Sequence, residues 1–116
     1  MAGGRLTTHV LDTMRGKPGA GIRIELYALE DVTARRVADI VTNPDGRTDA
    51  PLLAGDAFKV GRYELLFHIG DYFRRGGMDA PFIDVVPVRF AVADAAAHYH
   101  VPLLASPWSY TTYRGS

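Results

Sequence analysis

The chain has 116 residues, 47% of them hydrophobic, which suffices for one domain with a single hydrophobic core. Its 13 basic and 13 acidic side chains balance to a formal net charge of zero, which argues against nucleic acid or an anionic membrane as the main partner. The absence of cysteine excludes disulfides, thiolate catalysis and cysteine-ligated zinc. No apolar run could span a bilayer and no signal segment is recognisable, so we expect a cytoplasmic protein.

The first half of the sequence alternates between apolar and polar residues in short runs, the pattern of half-buried strands. These runs cover residues 6–14, 22–29 and 35–42, and a short edge strand is predicted within 47–53. Segments rich in Gly and Pro separate the runs and predict turns. Within 22–29 the alternation places Ile24 and Leu26 inward and Glu25 outward.

The second half continues the pattern over residues 61–69, 83–92, 98–105 and 108–113. Between the first two runs we predict one short helical turn, with Asp71 as its N-cap and Gly76 at its end. About seven to eight short strands with frequent turn signals are typical of an antiparallel β-sandwich. The sequence therefore predicts an all-β protein with one short helix, folded as a single domain over residues 1–116.

The last 19 residues, 98–116, carry unusual chemistry for a strand near a chain end. His98 and His100 are two positions apart, so they project from the same face of a strand, about 7 Å apart. Pro102 and Leu104 continue that face. A strand that only completed a core would be apolar at these positions, so we interpret this face as the wall of a functional site.

The chain has four histidines: His9, His68, His98 and His100. A single histidine on a strand is most often a hydrogen-bonded structural side chain, and we read His68 and His98 in this way. A His-x-His pair with a third histidine could also bind zinc. No fourth ligand and no carboxylate placed to orient an imidazole is evident, so no metal site is predicted.

Nucleophilic catalysis by serine is disfavoured, because the sequence has no Gly-x-Ser-x-Gly motif and Ser106 and Ser109 fit a turn and a strand. An imidazole that activates water remains, since its pKa suits proton transfer near neutral pH. Such a reaction also needs a cation for the developing oxyanion. Arg47, directly after the Asp45-Gly46 turn, and Arg114 are the candidates.

Four motifs in the chain resemble those of the 5-hydroxyisourate hydrolase family, whose members are also called transthyretin-like proteins. They are Leu6-Thr-Thr-His-Val-Leu-Asp-Thr13, Gly46-Arg-Thr48, His98-Tyr-His-Val-Pro-Leu-Leu104 and the terminal Tyr113-Arg-Gly-Ser116. The resemblance covers essentially the whole chain, and the terminal motif is the most specific mark. Transthyretin itself is similar to the first motif and to Leu103-Leu-Ala-Ser-Pro-Trp-Ser-Tyr110, but it lacks the His, Arg, His and Tyr-Arg-Gly-Ser set.

The resemblance implies a sandwich of seven or eight strands and a homotetramer, a dimer of dimers with a channel at its interface. It also implies hydrolysis of 5-hydroxyisourate, the product of urate oxidation, to 2-oxo-4-hydroxy-4-carboxy-5-ureidoimidazoline, without a metal or organic cofactor. Two alternatives stay open at this stage. One is a non-enzymatic carrier that binds an aromatic molecule in the channel, and the other is an interaction domain without a site.

Carried over position by position, the resemblance implies a site made of His9, Arg47, His100 and Tyr113, closed by the tail of Arg114, Gly115 and Ser116. In this hypothesis His9, alone or with His100, deprotonates water. Arg47 holds the substrate carbonyl and the oxyanion, and the Tyr113 hydroxyl anchors the ring. Which histidine is the base stays open. Trp108 stands where the family often has Tyr, and we expect this departure to leave the chemistry unchanged.

Overall fold

A computed structural model describes residues 3–115 of the chain. Nine strands, one 3-10 turn at Gly55–Ala57 and one α-helix make up its regular structure within those residues. In chain order they are β1 (Arg5–Asp12), β2 (Lys17–Pro18), β3 (Arg23–Leu29), β4 (Ala34–Val41), β5 (Leu53–Ala54), β6 (Gly61–His68), α1 (Ile69–Arg75), β7 (Val85–Val92), β8 (His98–Ala105) and β9 (Tyr110–Thr112).

The strands form two sheets that face each other across the core. One has the order β2-β1-β8-β9, with the short β5 also pairing with β1, and the other has the order β4-β3-β6-β7. The predicted β-sandwich is confirmed, and all neighbours are antiparallel except the central pair β1 and β8, which is parallel. These two strands come from opposite ends of the chain, so no hairpin fixes their relative direction.

Alternation along β1 and β8 decides which side chains face the core. Leu6 and Val10 of β1, with Val101 and Leu103 of β8, are almost fully buried between the sheets. Each such side chain stabilises the fold by about 1.5–3 kcal/mol relative to an exposed one. Because successive residues of a strand point to opposite faces, this burial forces Thr7, His9, His98 and His100 onto the outer face of the same sheet.

The short helix begins earlier than the sequence predicted. Its N-cap residue is His68 instead of Asp71, which lies in the first turn and pairs with Arg74 at 3.0 Å. Ile69 and Phe73, one turn apart, are both buried, and this apolar pair anchors the earlier start. The predicted end at Gly76 is confirmed. Neither α1 nor any other helix within residues 3–115 is long and apolar enough to cross a membrane.

Glu25 alternates with the core residues of β3 as predicted, yet only 7% of its surface is exposed. His68 (2.8 Å), Tyr27 (2.9 Å) and Arg36 (3.2 Å) cover its carboxylate with hydrogen bonds. Hydrogen bonding to His68 first, and then to Tyr27, lowers the pKa of Glu25. His68 thus belongs to an ionic cluster on the outer face of the second sheet, in agreement with its structural interpretation.

Candidate active site

The parallel pairing of β1 with β8 brings together histidines from opposite ends of the chain. In this register Thr7 lies opposite His100, and His9 lies opposite Pro102. All of these residues lie on the outer face of the sheet. The chain therefore presents two of the predicted catalytic histidines side by side on one surface.

A cavity of about 390 Å³ lies beside these strands. Thr7, His98 and His100 form its strand wall, and Arg47 stands in the wall made by the loop. The complete lining is Arg5, Thr7, Thr8, Arg47, Thr48, Asp49, Ala50, Pro51, His98 and His100. His9 is not part of this lining, but it lies two residues after Thr7 on the same face of β1 and interacts electrostatically with Arg47 and His100. The structure thus brings the three predicted catalytic residues together.

Arg47 is held in place by a turn that Asn43 organises. The Asn43 Oδ1 atom accepts hydrogen bonds from the backbone N–H groups of Asp45 at 2.9 Å and of Arg47 at 3.2 Å. The backbone N–H of Asn43 in turn donates to the carbonyl of Arg47 at 2.8 Å. An asparagine that folds its own turn in this way fixes where the following residue projects. The backbone of Arg47, from which the guanidinium projects, is therefore held in one conformation.

Gly46 docks that turn onto β1. Its φ of +75° lies in the left-handed region, and its carbonyl accepts a hydrogen bond of 2.8 Å from the N–H of Val10. A Cβ at this position would lie 2.4 Å from the carbonyl oxygen of Val10, closer than any real contact. Both conformation and space therefore require glycine directly before Arg47.

We expect Gly46→Ala to reduce both stability and kcat, because the turn must move away from β1 and carry Arg47 with it. Gly16→Ala is the matched control, since Gly16 also has a positive φ but has nothing within 4 Å of the new methyl group. The control pays only the conformational cost of about 1–2 kcal/mol. Calorimetry and steady-state kinetics on both variants measure the difference. Equal destabilisation, with kcat preserved in both, would contradict the docking role of Gly46.

The pKa values of both candidate histidines are lowered from their ordinary range. Burial is the main cause for His9, followed by the charge of Arg47, while the backbone and carboxylate of Asp45 partly oppose the shift. Burial also comes first for His100, followed by Arg47, His98 and His9. Lowered values keep both imidazoles neutral at neutral pH, which is the form that accepts a proton.

The structure adds Thr7 to the site and shows what His98 contacts there. The Thr7 hydroxyl lies 2.7 Å from Nε2 of His98 and 2.8 Å from Nδ1 of His100. His98 is therefore a hydrogen-bonded strand histidine, as the sequence analysis read it, and its partner Thr7 also contacts His100. The spacing of Thr7 and His9 put both on one face, but the parallel contact with β8 was needed to join them to His98.

The C-terminal residues approach the site from β9. The backbone N–H of Gly115 donates to the carbonyl of His100 at 2.7 Å, and a methyl group on Gly115 would lie 2.6 Å from the His100 ring. Tyr113 and Arg114 instead line a separate cleft of about 220 Å³, where the guanidinium stacks 4.1 Å above the Tyr99 ring. The structure therefore joins Gly115 to His100 but leaves Tyr113 and Arg114 outside the Arg47 cavity. Ser116 lies outside the described residues.

Across residues 3–115, no group of three or more His, Asp or Glu side chains is arranged to hold a metal ion. His98 and His100 direct one ring nitrogen each toward the Thr7 hydroxyl. The geometry of the pair is therefore that of a hydrogen-bonded chain.

Residues 6–115 match the HIUase/Transthyretin family. The chain belongs to this family. The chain is 55% identical over 116 residues to 5-hydroxyisourate hydrolase 2 of Rhizobium meliloti, covering 97% of each protein. Membership in the HIUase/Transthyretin family, suggested by the sequence motifs, is thereby confirmed.

Solved structures of family members show the same fold. The chain aligns with the 5-hydroxyisourate hydrolase of Klebsiella pneumoniae at a TM-score of 0.83 and 33% identity, covering 100% of each chain. Sea bream transthyretin in complex with thyroxine aligns at a TM-score of 0.88 and 28% identity, over 96% of this chain and 94% of that one. A structure of (S)-allantoin synthase aligns at a TM-score of 0.92 and 48% identity over 99% of this chain. The alignment covers 44% of the (S)-allantoin synthase chain.

Proposed function

We propose that this protein hydrolyses 5-hydroxyisourate to 2-oxo-4-hydroxy-4-carboxy-5-ureidoimidazoline, as a step of urate degradation. The observation that carries the proposal is the meeting of neutral His9 and His100 with Arg47 on the outer face of one sheet. The Rhizobium meliloti and Klebsiella pneumoniae hydrolases support the choice of substrate. The motif set that separates the enzyme from transthyretin is complete in this sequence.

Arg47 acts as the fixed cation of the proposed reaction. Its planar guanidinium offers parallel N–H donors to a carbonyl oxygen, and these donors bind more strongly as the oxygen becomes an oxyanion. Because Asn43 and Gly46 hold its backbone, the point from which these donors project is fixed before the substrate arrives. Preorganisation of this kind lowers the barrier, since little reorganisation is needed when the charge develops.

A neutral imidazole, from His9 or His100, takes the proton from water as the water oxygen bonds to the amide carbon. The carbon–nitrogen bond of the ring then breaks. The leaving nitrogen takes a proton, and the imidazolium just formed is the donor within reach. Water is thus divided between the new carboxyl group and the ring nitrogen, and the enzyme returns to its starting state. Tyr113 is also proposed to anchor the substrate ring and the Arg114–Ser116 tail to close the site. Since Tyr113 and Arg114 line a separate cleft in this structure, these two roles require the tail to move to the Arg47 cavity.

A homotetramer, a dimer of dimers, is part of this proposal. The cavity beside His98 and His100 is open on the outer face of the sheet, so a second copy of the chain facing this surface would close it into a channel. A closed channel excludes water and strengthens the electrostatic effect of Arg47. Analytical ultracentrifugation tests the assembly, and a monomer as the active species would contradict it. A cytoplasmic location stays a prediction.

A coupled ultraviolet assay tests the proposed activity. Urate oxidase generates 5-hydroxyisourate from urate, and the decay of its absorbance is followed with and without this protein, before and after chelator treatment. We expect fast decay that resists the chelator, since the proposed chemistry uses no metal. A well-folded tetramer that gives no acceleration would refute the hydrolase and favour a carrier of aromatic molecules, the function suggested by the thyroxine complex of sea bream transthyretin.

Deletion of residues 113–116 is expected to abolish the acceleration, because it removes the Gly115 contact with the His100 backbone and ring. Arg35→Ala is the control for nonspecific damage, since Arg35 is an exposed side chain on the other sheet that pairs with Glu30 and lines neither the Arg47 cavity nor the cleft of Tyr113. The same assay measures both proteins, and circular dichroism verifies their folding. Full activity in the truncated protein would remove the tail from the proposed site.

A further inference from the structure

Thr7 connects two imidazoles through one hydroxyl group. Its Oγ1 atom lies 2.7 Å from Nε2 of His98 and 2.8 Å from Nδ1 of His100, and both contacts are partly buried. The register of β1 and β8 creates this arrangement, because it sets Thr7 directly opposite His100. His98 is two residues before His100 on the same face, so one hydroxyl reaches both rings.

The number of available protons limits how the hydrogen bonds among His98, Thr7 and His100 can be directed. A threonine hydroxyl donates one hydrogen bond and accepts through its lone pairs. With both imidazoles neutral, Thr7 either donates to one ring and accepts from the other, or accepts from both and leaves its own hydroxyl proton unpaired. The first arrangement satisfies every group, and in it the two nitrogens that face Thr7 differ: one carries a proton and the other does not. If Thr7 donated to His100, the proton of His100 would lie on Nε2, and that nitrogen could not act as a base. If Thr7 donates to His98, His100 carries its proton on Nδ1 and keeps Nε2 free.

We propose that Thr7 is a positioning residue which, by donating to Nε2 of His98 and accepting from Nδ1–H of His100, leaves Nε2 of His100 as the basic nitrogen that takes the proton from water. This inference rests on the proposed function and deepens it. It assigns the general base to His100, a choice between histidines that the sequence leaves open. It also gives His98 a role, as the fixed acceptor of the Thr7 proton.

The same arrangement serves both protonation states of His100. When Nε2 takes a proton, the ring becomes a cation whose Nδ1–H still donates to Thr7, so no hydroxyl has to rotate during the reaction. Hydrogen bonds from charged donors are stronger than those from neutral ones. Thr7 therefore stabilises the imidazolium, raises the basicity of His100 and partly offsets the cations around it.

The charges around His98, Thr7 and His100 are compatible with His100 as the general base. Arg47, His9 and His98 face His100 and lower its pKa after the larger effect of burial. Burial also lowers the pKa of His98, with Arg5 and Arg114 adding to it, so this ring is neutral and can accept the Thr7 proton. Asp49 is the carboxylate in the cavity lining.

Thr7→Val is the test, because valine keeps the shape of threonine and removes the hydroxyl. We expect kcat to fall about tenfold, the worth of one hydrogen bond of this kind, with KM nearly unchanged. We also expect the acid limb of the pH–rate profile to move to lower pH, since the imidazolium loses its acceptor. Thr7→Ser should restore both kcat and the position of the limb.

Thr13→Val is the matched control for loss of a threonine hydroxyl. The Thr13 hydroxyl donates to the carbonyl of Ala105 at 3.1 Å, so it also links β1 to β8, but at the far end of the pair. We expect this variant to keep the wild-type pH profile. A shift of the acid limb to higher pH in Thr7→Val, or an unshifted limb, would overturn the proposed direction of the hydrogen bonds.

Two further measurements separate this inference from the proposed activity. Nitrogen-15 NMR of the imidazoles reads the tautomers without substrate, and we expect protonated Nδ1 and unprotonated Nε2 for His100 in the wild type and a mixture in Thr7→Val. The opposite tautomer in the wild type would overturn the inference even in an active enzyme. The expected tautomer in a protein without hydrolase activity would overturn the proposed function alone. The effects of His98→Phe and Thr7→Val on kcat should be non-additive, because both substitutions break the same series of hydrogen bonds.

Discussion

Replacing Arg47 by alanine is expected to lower kcat about 10²- to 10³-fold, the usual loss when a donor to the oxyanion is removed. The reason is that, in the proposed reaction, this guanidinium is the cation that holds the oxyanion beside His9 and His100. The same variant should move the acid limb of the residual activity to higher pH. Arg47 lowers the pKa of both histidines, so its removal lets them become protonated at a higher pH.

Arg47→Lys separates the charge of this residue from its geometry. Lysine keeps the positive charge but replaces the planar fork by a single ammonium group. We expect the acid limb to stay near its wild-type position while kcat falls. Steady-state kinetics over a pH range, with ultracentrifugation to verify assembly, measure both effects. Full activity in a folded Arg47→Ala protein would show that the oxyanion is stabilised elsewhere.

The fold was predictable because its core obeys the period of two. Leu6, Val10, Ile24 and Leu26 recur at alternate positions and are buried as the alternation requires. The direction of β1 relative to β8 was not predictable, because local patterns carry no information about pairing between the two ends of a chain. The helix start was misplaced for a related reason. Asp71 is a good capping residue locally, but burial of Ile69 decides where the helix begins.

The candidate site was predictable in its composition and less so in its connections. His9, His100 and Arg47 came from the resemblance to the family, with which the histidines on strand faces and the arginine after the Asp45-Gly46 turn agreed, and the structure brings them together. Thr7 and its contact with His98 were missed because the sequence shows which face a side chain occupies but not its neighbour on the next strand. Once the register of β1 and β8 is known, the contact with Thr7 follows directly.

The position of the site explains why a sandwich can carry this chemistry. The inner faces of both sheets are occupied by the core, so a polar site must lie on an outer face or in a loop. The outer face of the β1–β8 pair combines two strands that are hydrogen-bonded to each other along their whole length with the turn that carries Arg47. The paired strands hold the imidazoles and the loop supplies the cation. Side chains on strands are positioned more precisely than side chains on loops, and catalysis requires such precision.

Removal of the proposed general base, His100, is expected to have the second large effect. His100→Asn is expected to lower kcat by about 10²- to 10⁴-fold, the contribution typical of general-base catalysis. In the wild type, kcat/KM should rise with pH and reach half of its plateau below about 6.5, the ordinary pKa of histidine. The sign follows from the site, because burial and then Arg47 lower the pKa of His100, so its neutral form persists into more acidic solution.

His9→Asn decides between the two histidines. If His100 is the base, His9→Asn should reduce kcat yet retain an acid limb, whereas His100→Asn should leave a profile without that limb. The residual limb in His9→Asn is expected at slightly higher pH, because His9 also lowers the pKa of His100. Stopped-flow decay of 5-hydroxyisourate over a range of pH measures all three proteins. A limb that disappears in His9→Asn and survives in His100→Asn would exchange the roles of the two residues.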